Sequence, residues 1–119
     1  MEMQQCPVFE TAHLFGKKWM IALLQEVAVG GEKGFNHIQK RMGRISPKII
    51  SQRLKELEKA GLIERTVIKG ILPPRTSYSL TAKGGELHEI SLMFRKWQSK
   101  HSPGIQGCEE RECVKCPHY

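Results

Sequence analysis

The stretch ISPKIISQRLKELEKAG, Ile45 to Gly61, carries a helix with both ends marked and both faces readable. Ser46 is a good N-cap, because its hydroxyl can accept a hydrogen bond from a first-turn N–H. Pro47 follows at the first helical position, where a missing N–H costs nothing. Gly61 can take the left-handed conformation that closes a helix. Ile50, Leu54 and Leu57 recur at i, i+4, i+7 and define a buried face. Lys48, Ser51, Gln52, Lys55 and Lys59 fall opposite. Alone, that second face would pass for ordinary solvated surface. It also has what a helix in a DNA major groove needs: cations for phosphates, with amide and hydroxyl groups for base edges.

Immediately upstream, Phe35, Ile38 and Met42 mark a shorter helix at i, i+3, i+7, closed by Gly43. Only Arg44 and Ile45 separate it from the Ser46 cap. Two short helices joined by a tight glycine-containing turn form a helix-turn-helix unit, the first bracing the second across the DNA backbone. Further back, residues 18–29 are apolar nearly all round (Trp19, Met20, Ile21, Ala22, Leu23, Leu24, Val27), which predicts a central buried helix ended by Gly30-Gly31. Before it, Pro7 begins a short helix with Cys6 at its N-cap. Val8, Phe9, Ala12 and Phe15 are its expected apolar contacts, and Gly16 breaks it.

Downstream of Gly61 the period changes. Residues 62–68 are rich in β-branched side chains and predict a strand, with residues 76–80 as its partner. KGILPPR, residues 69–75, lies between them, and Gly70 and Pro73-Pro74 mark the turn. Lys69 and Arg75 flank the tip. A basic hairpin directly after a recognition helix is a wing that can lay cations along phosphates or into a minor groove. Thr81 then caps a last helix running to about Lys100, with an apolar stripe of Leu87, Ile90, Met93, Phe94 and Trp97. That stripe could close the chain's own core or pack on a second subunit.

Charge concentrates where the helix and wing are. The whole chain of 119 residues carries +7. Residues 40–59 contribute +5 and residues 65–83 contribute +4, the second stretch without a single acid. A merely soluble surface would interleave signs, so this is the footprint of a polyanion partner. No apolar run approaches the ~20 residues of a membrane span. The N-terminus MEMQQCPVFE is acidic and lacks a signal-peptide pattern. A cytoplasmic protein is expected. No glycine-rich phosphate loop and no nucleophile–base pairing is present, so no enzyme is expected.

The element order is that of an α+β, mostly α, winged helix-turn-helix with a two-stranded hairpin wing. Its details resemble the HxlR family of bacterial and archaeal transcriptional regulators, relatives of the MarR group. The resemblance is carried by Cys6-Pro7-Val8, Gly16-Lys17-Lys18-Trp19, Phe35-Asn36-His37-Ile38, Ile45-Ser46-Pro47-Lys48, Gln52-Arg53-Leu54-Lys55-Glu56-Leu57 with Gly61-Leu62-Ile63, Pro73-Pro74-Arg75, and Tyr78-Ser79-Leu80-Thr81 with Gly84. It covers residues 6–98, within a DNA-binding domain of residues 6–100, and leaves a Cys-rich tail at 101–119 that the family does not explain. The resemblance implies a homodimer, built through the first and last helices, on a pseudo-palindromic operator. A two-fold dimer would set its recognition helices about 34 Å apart, one DNA turn.

Lys48, Ser51, Gln52 and Lys55 are then the candidates nearest the bases, after the Ser46 cap, and Arg44, Lys69 and Arg75 the candidates for phosphate. Arg53 points toward the buried side of its helix and suits a structural ion pair. Cys6 invites a redox reading: a thiol at a helix N-cap meets the positive end of the dipole, which favours the reactive thiolate. The resemblance implies the same, since some family members sense oxidants or electrophiles at this Cys-Pro position. The plainer alternative is a cysteine packed at the dimer interface.

In the tail, Cys108, Cys113, Cys116 and His118 could complete a tetrahedral Zn²⁺ site, the Cys113-x2-Cys116 pair being the best spaced. Cys6 could replace His118 as fourth ligand, and a disulfide could use the same thiols. Three functions are open at this point. The first is a sequence-specific DNA-binding regulator, a repressor by expectation, with a redox or metal response left open by Cys6 and the tail. The second is a winged-helix protein-interaction module with a structural metal-binding tail. The third is a redox enzyme using Cys113 and Cys116. The last is weakened because its motif does not open a helix in a βαβ unit.

Overall fold

The computed structural model describes residues 6–29, 33–70, 72 and 75–102. Along them run α1 (Pro7–Phe15), α2 (Met20–Ala28), β1 (Lys33–Gly34), α3 (Phe35–Arg41), α4 (Pro47–Lys59), β2 (Ile63–Ile68), β3 (Arg75–Leu80) and α5 (Ala82–His101). The expected winged helix is present. Cys108, Cys113, Cys116 and His118 lie outside the described residues, as do Pro73 and Pro74.

α2 is the centre. Met20, Ala22, Leu23 and Leu24 are fully buried and Val27 nearly so, as an all-round apolar sequence requires. It begins two residues later than expected. Trp19 takes a left-handed backbone, φ 73°, alone among the described non-glycine residues, so Lys18 and Trp19 belong to the turn after α1. The Trp19 ring packs against the core, and the Lys18 ammonium sits 5.0 Å from its centroid. That cation–π contact suits a half-buried indole at a turn.

α4 has the ends its sequence specifies. The Ile49 N–H donates to Ser46 Oγ (3.3 Å) and Pro47 opens the helix. At the other end Gly61 has φ 77°. Its N–H donates to the Glu58 carbonyl and the Leu62 N–H to the Leu57 carbonyl, both at 3.0 Å, so the last carbonyls are satisfied by a Schellman closure. Ile50, Leu54 and Leu57 are buried, as their spacing predicts. α3 buries Ile38 and Met42. It closes at Met42, whose N–H donates to the Ile38 carbonyl (3.0 Å), one residue before the expected Gly43.

β2 and β3 pair antiparallel from Ile63↔Leu80 to Ile68↔Arg75. The turn begins at Gly70, φ 89°. A third strand was not expected. β1 pairs with β3, Lys33↔Tyr78 and Gly34↔Ser77, giving the order β1-β3-β2. Two residues show no period, so nothing in the sequence marks them as a strand.

Thr81 caps α5, its Oγ1 accepting from the Gly84 N–H (3.1 Å). The apolar stripe of α5 does not close the chain's own core. Leu87 is partly buried against it, but Met93, Phe94 and Trp97 remain 64%, 56% and 62% exposed. α1 is seated just as lightly, with no buried residue. Val8 and Phe9 are exposed and so is Ala12, contrary to expectation. Phe15 does make the expected contact, edge-on to Phe94 at 6.3 Å between centroids, and Leu14 joins it at the core margin.

Candidate nucleic-acid interface

Burying Ile50, Leu54 and Leu57 fixes the rotation of α4, and a helix that commits one face exposes the other. Lys48, Gln52 and Lys55 stand on that other face and are exposed, while Ser51 is half-buried at its margin. Arg44 is exposed in the turn before the cap, and the exposed Lys69 and Arg75 flank the hairpin tip. Among the described residues none of Arg44, Lys48, Gln52, Lys55, Lys69 or Arg75 engages in an ion pair or side-chain hydrogen bond. Their donors are turned to solvent and available to a ligand. Ser46 is different: its hydroxyl is used by its own helix.

A reading helix needs a rigid mount, and here the mount is polar as well as apolar. Glu56 lies on the inner flank of α4 and receives two cations. Lys17 Nζ is 2.7 Å from its Oε2 and Arg53 Nη1 is 2.8 Å from its Oε1. Arg53 Nε also donates to the Lys18 carbonyl (3.2 Å). The α1–α2 turn is thereby pinned to the recognition helix, and Arg53 has the structural role expected of it. The Lys17 hydrogen bond, ahead of the charges of Lys17 and Arg53, holds the Glu56 carboxyl below its ordinary value despite some burial.

A second tie runs from α2 to the bracing helix. Glu26, only 3% exposed, accepts from Arg41 Nε at 2.7 Å. A carboxylate so deep is tolerable only when paired. A third joins α2 to α5, with Arg95 Nη2 3.5 Å from Gln25 Oε1. Burial, and then the nearby Arg95 guanidinium, also pushes the His88 imidazole in α5 below its ordinary value.

The Glu26 and Glu56 partnerships were missed in the sequence. A signal existed: Gln25 and Glu26 interrupt an otherwise apolar helix, and a polar pair on a buried helix demands partners. Which residues answer that demand is a matter of the fold. Cys6, half-buried and with a free thiol, does occupy the N-cap position of α1, but its side chain makes no capping bond.

Residues 14–106 match the family described as HxlR-like helix-turn-helix. The chain belongs to the HxlR family. Its relatives are named accordingly. It is 34% identical over 108 residues to the uncharacterized HTH-type transcriptional regulator YdeP of Bacillus subtilis, covering 91% of this chain and 83% of that one. It is 36% identical over 109 residues to the HTH-type transcriptional regulator YodB of the same organism, covering 90% and 96%. The solved reduced form of YodB superposes with a TM-score of 0.72 at 32% identity, over 82% of this chain and 95% of that one. The redox regulator HypR in its oxidized form superposes at 0.69 with 33% identity, over 80% and 96%. This HxlR chain is therefore a transcriptional regulator of the HxlR/MarR type. No helix among its described residues is long and apolar enough to cross a membrane.

Proposed function

We propose that the protein binds double-stranded DNA as a homodimer on a pseudo-palindromic operator and acts as a repressor. One observation carries this reading: Lys48, Gln52 and Lys55 stand exposed and unpaired on a helix whose opposite face is locked into the core. In it, α4 enters the major groove, Gln52 and Ser51 address base edges, Lys48 and Lys55 sit groove-proximal, and Arg44, Lys69 and Arg75 meet phosphates. The exposed apolar faces of α1 and α5 support a two-fold partner. Buried against a second copy, Phe94, Met93 and Trp97 would complete a core that one chain leaves open.

The test is titration of the protein's own upstream DNA, and of a random duplex, followed by fluorescence anisotropy at several salt concentrations. Specific affinity is expected to fall steeply with salt as several counterions are released. Gln52→Ala should cost about 1–3 kcal/mol on the operator and little on random DNA. Lys69→Ala should weaken both alike and reduce the salt slope by about one. Equal losses from the two variants on both duplexes would defeat this division of labour. If neither duplex binds at all, the chain is an interaction module instead.

Redox control through Cys6 belongs to the same reading, supported by its free thiol at the head of a lightly seated helix and by the likeness to the redox regulator HypR. Diamide treatment should then release the operator in the wild type and not in Cys6→Ser. For the tail, stoichiometric zinc in protein purified without chelator, lost in Cys113→Ser, is the expected result, and its absence would remove Cys108, Cys113, Cys116 and His118 as ligands.

A further inference from the structure

The wing carries apolar surface that neither phosphate contact nor a two-fold partner accounts for. Leu72 is 94% exposed, more than any other large hydrophobic residue among the described residues. Val67 and Ile68, near the end of β2, are exposed as well. None of the three lies on α1 or α5, whose apolar faces a second copy would cover. The last ladder pair of the hairpin is Ile68↔Arg75, so Lys69, Gly70 and Leu72 belong to the tip beyond it. A Cβ on Gly70 would meet nothing within 4 Å, so the tip stands clear of the body of the protein. Around it the charge is uniformly positive. Lys69 and Arg75 are exposed on its two sides, as is Arg65 further down β2, and residues 65–80 hold no acid. An aliphatic side chain set between two cations matches a minor groove, where stacked bases lie between two rows of phosphates.

Resting on the DNA-binding reading of α4, we propose that Leu72 enters the neighbouring minor groove as an apolar wedge, partly unstacking one base step and bending the operator. A step opened at its minor-groove edge gives Leu72 the apolar contact it lacks in the free protein. Lys69 and Arg75 then face one phosphate row each and hold the tip in register. The chain is long enough. Six residues between the strands, three out and three back, reach at most about 10 Å beyond the last ladder pair, and the groove is about 7.5 Å deep. A minor-groove wedge kinks the duplex toward its major groove. That is the groove α4 occupies in this reading, so the bend closes DNA around the recognition helix. The cost of unstacking depends on the step being opened and is smallest at pyrimidine–purine steps. Leu72 thereby sets sequence preference at a position where no side chain reads a base edge.

The probe is the protein's own upstream DNA, prepared as circularly permuted fragments of equal length. Gel mobility then reports the bend made by full-length wild type, Leu72→Ser, Leu72→Met and Lys69→Ala. Wild type should bend the fragment by at least about 20°. Leu72→Ser should lose at least half of that bend and bind about tenfold more weakly. Its salt dependence should be unchanged, because no phosphate contact is lost. Leu72→Met, apolar and of similar size, should keep both bend and affinity. Lys69→Ala should lower affinity and salt dependence and keep the bend. Selection from a random duplex pool should enrich a TA or CA step at a fixed distance from the sequence read by α4, with wild type and not with Leu72→Ser. Urea unfolding of Leu72→Ser should match wild type, since the side chain touches almost nothing. A straight wild-type complex overturns the wedge. So do equal bend and affinity in Leu72→Ser, or a salt slope that falls in Leu72→Ser as it does in Lys69→Ala. Binding to phosphatidylglycerol vesicles that Leu72→Ser abolishes while the DNA bend survives also overturns it, and assigns the tip to a membrane. Each of these results leaves the DNA reading standing, because wild type still binds the fragment. Failure of wild type to bind any duplex removes that reading itself, and the wedge with it.

Discussion

α4 and α5 are both amphipathic helices with one face toward the core, yet they leave opposite surfaces in the solvent. α4 shows water lysine and glutamine, and its Ile50, Leu54 and Leu57 are spent inside. α5 shows water Met93, Phe94 and Trp97 at more than half exposure. The first is a finished surface awaiting a polar ligand. The second is an unfinished one, because large apolar side chains at that exposure forgo more than half of their burial free energy. On the function proposed above, charge and apolarity divide the molecule into an end for DNA and an end for a second copy.

Substitutions at three places would break or sharpen that contrast. The largest effect is expected where the two helices meet. Gly84 in α5 rests on the Leu62 backbone at the close of α4, and an added methyl has no room. Gly84→Ala should cost upwards of about 3 kcal/mol in urea unfolding, at the upper end of overpacking. Gly85→Ala, where a Cβ would meet nothing, should be neutral or stabilise by up to about 1 kcal/mol through helix propensity. Similar behaviour of the neighbours would mean α5 is not anchored there.

Next is the exposed apolar face. Phe94→Ala with Trp97→Ala should weaken self-association by about 2 kcal/mol or more in sedimentation equilibrium, as loss of aromatic anchors does. Unchanged association would show that α5 is not the subunit contact.

The smallest effect belongs to the mount of α4. Lys17→Ala should cost no more than about 1 kcal/mol at neutral pH, since both partners are about a third exposed and screened by water. Its pH dependence is more telling. Glu56 is held below its ordinary value of 4.5 when folded, so the unfolded chain binds more protons in that window. The Glu56 contribution is complete above 4.5 and is lost as pH falls through the folded value. His88, also depressed, acts in the same direction at higher pH: stability declines as pH drops below 6.5. Lys17→Ala should flatten the acid limb of the stability curve and leave the limb near 6 unchanged.

Much of this was legible in the sequence because it is decided locally. Ser46, Pro47 and Gly61 mark the ends of α4 through bonds within three to five residues of each other, and the spacing of Ile50, Leu54 and Leu57 fixes which face turns inward. A charge excess centred on residues 40–59 likewise needs no fold to be seen. Tertiary structure alone decided which partners answer Glu26 and Glu56, because Arg41 lies 15 residues from the first and Lys17 39 residues from the second. It alone set Trp19 in a left-handed turn, added β1 to the wing sheet, and left the α5 stripe outside the core. Each of those outcomes depends on surfaces that meet only after the chain has closed on itself, and the 3.6-residue period of a helix says which residues share a face, not what covers it.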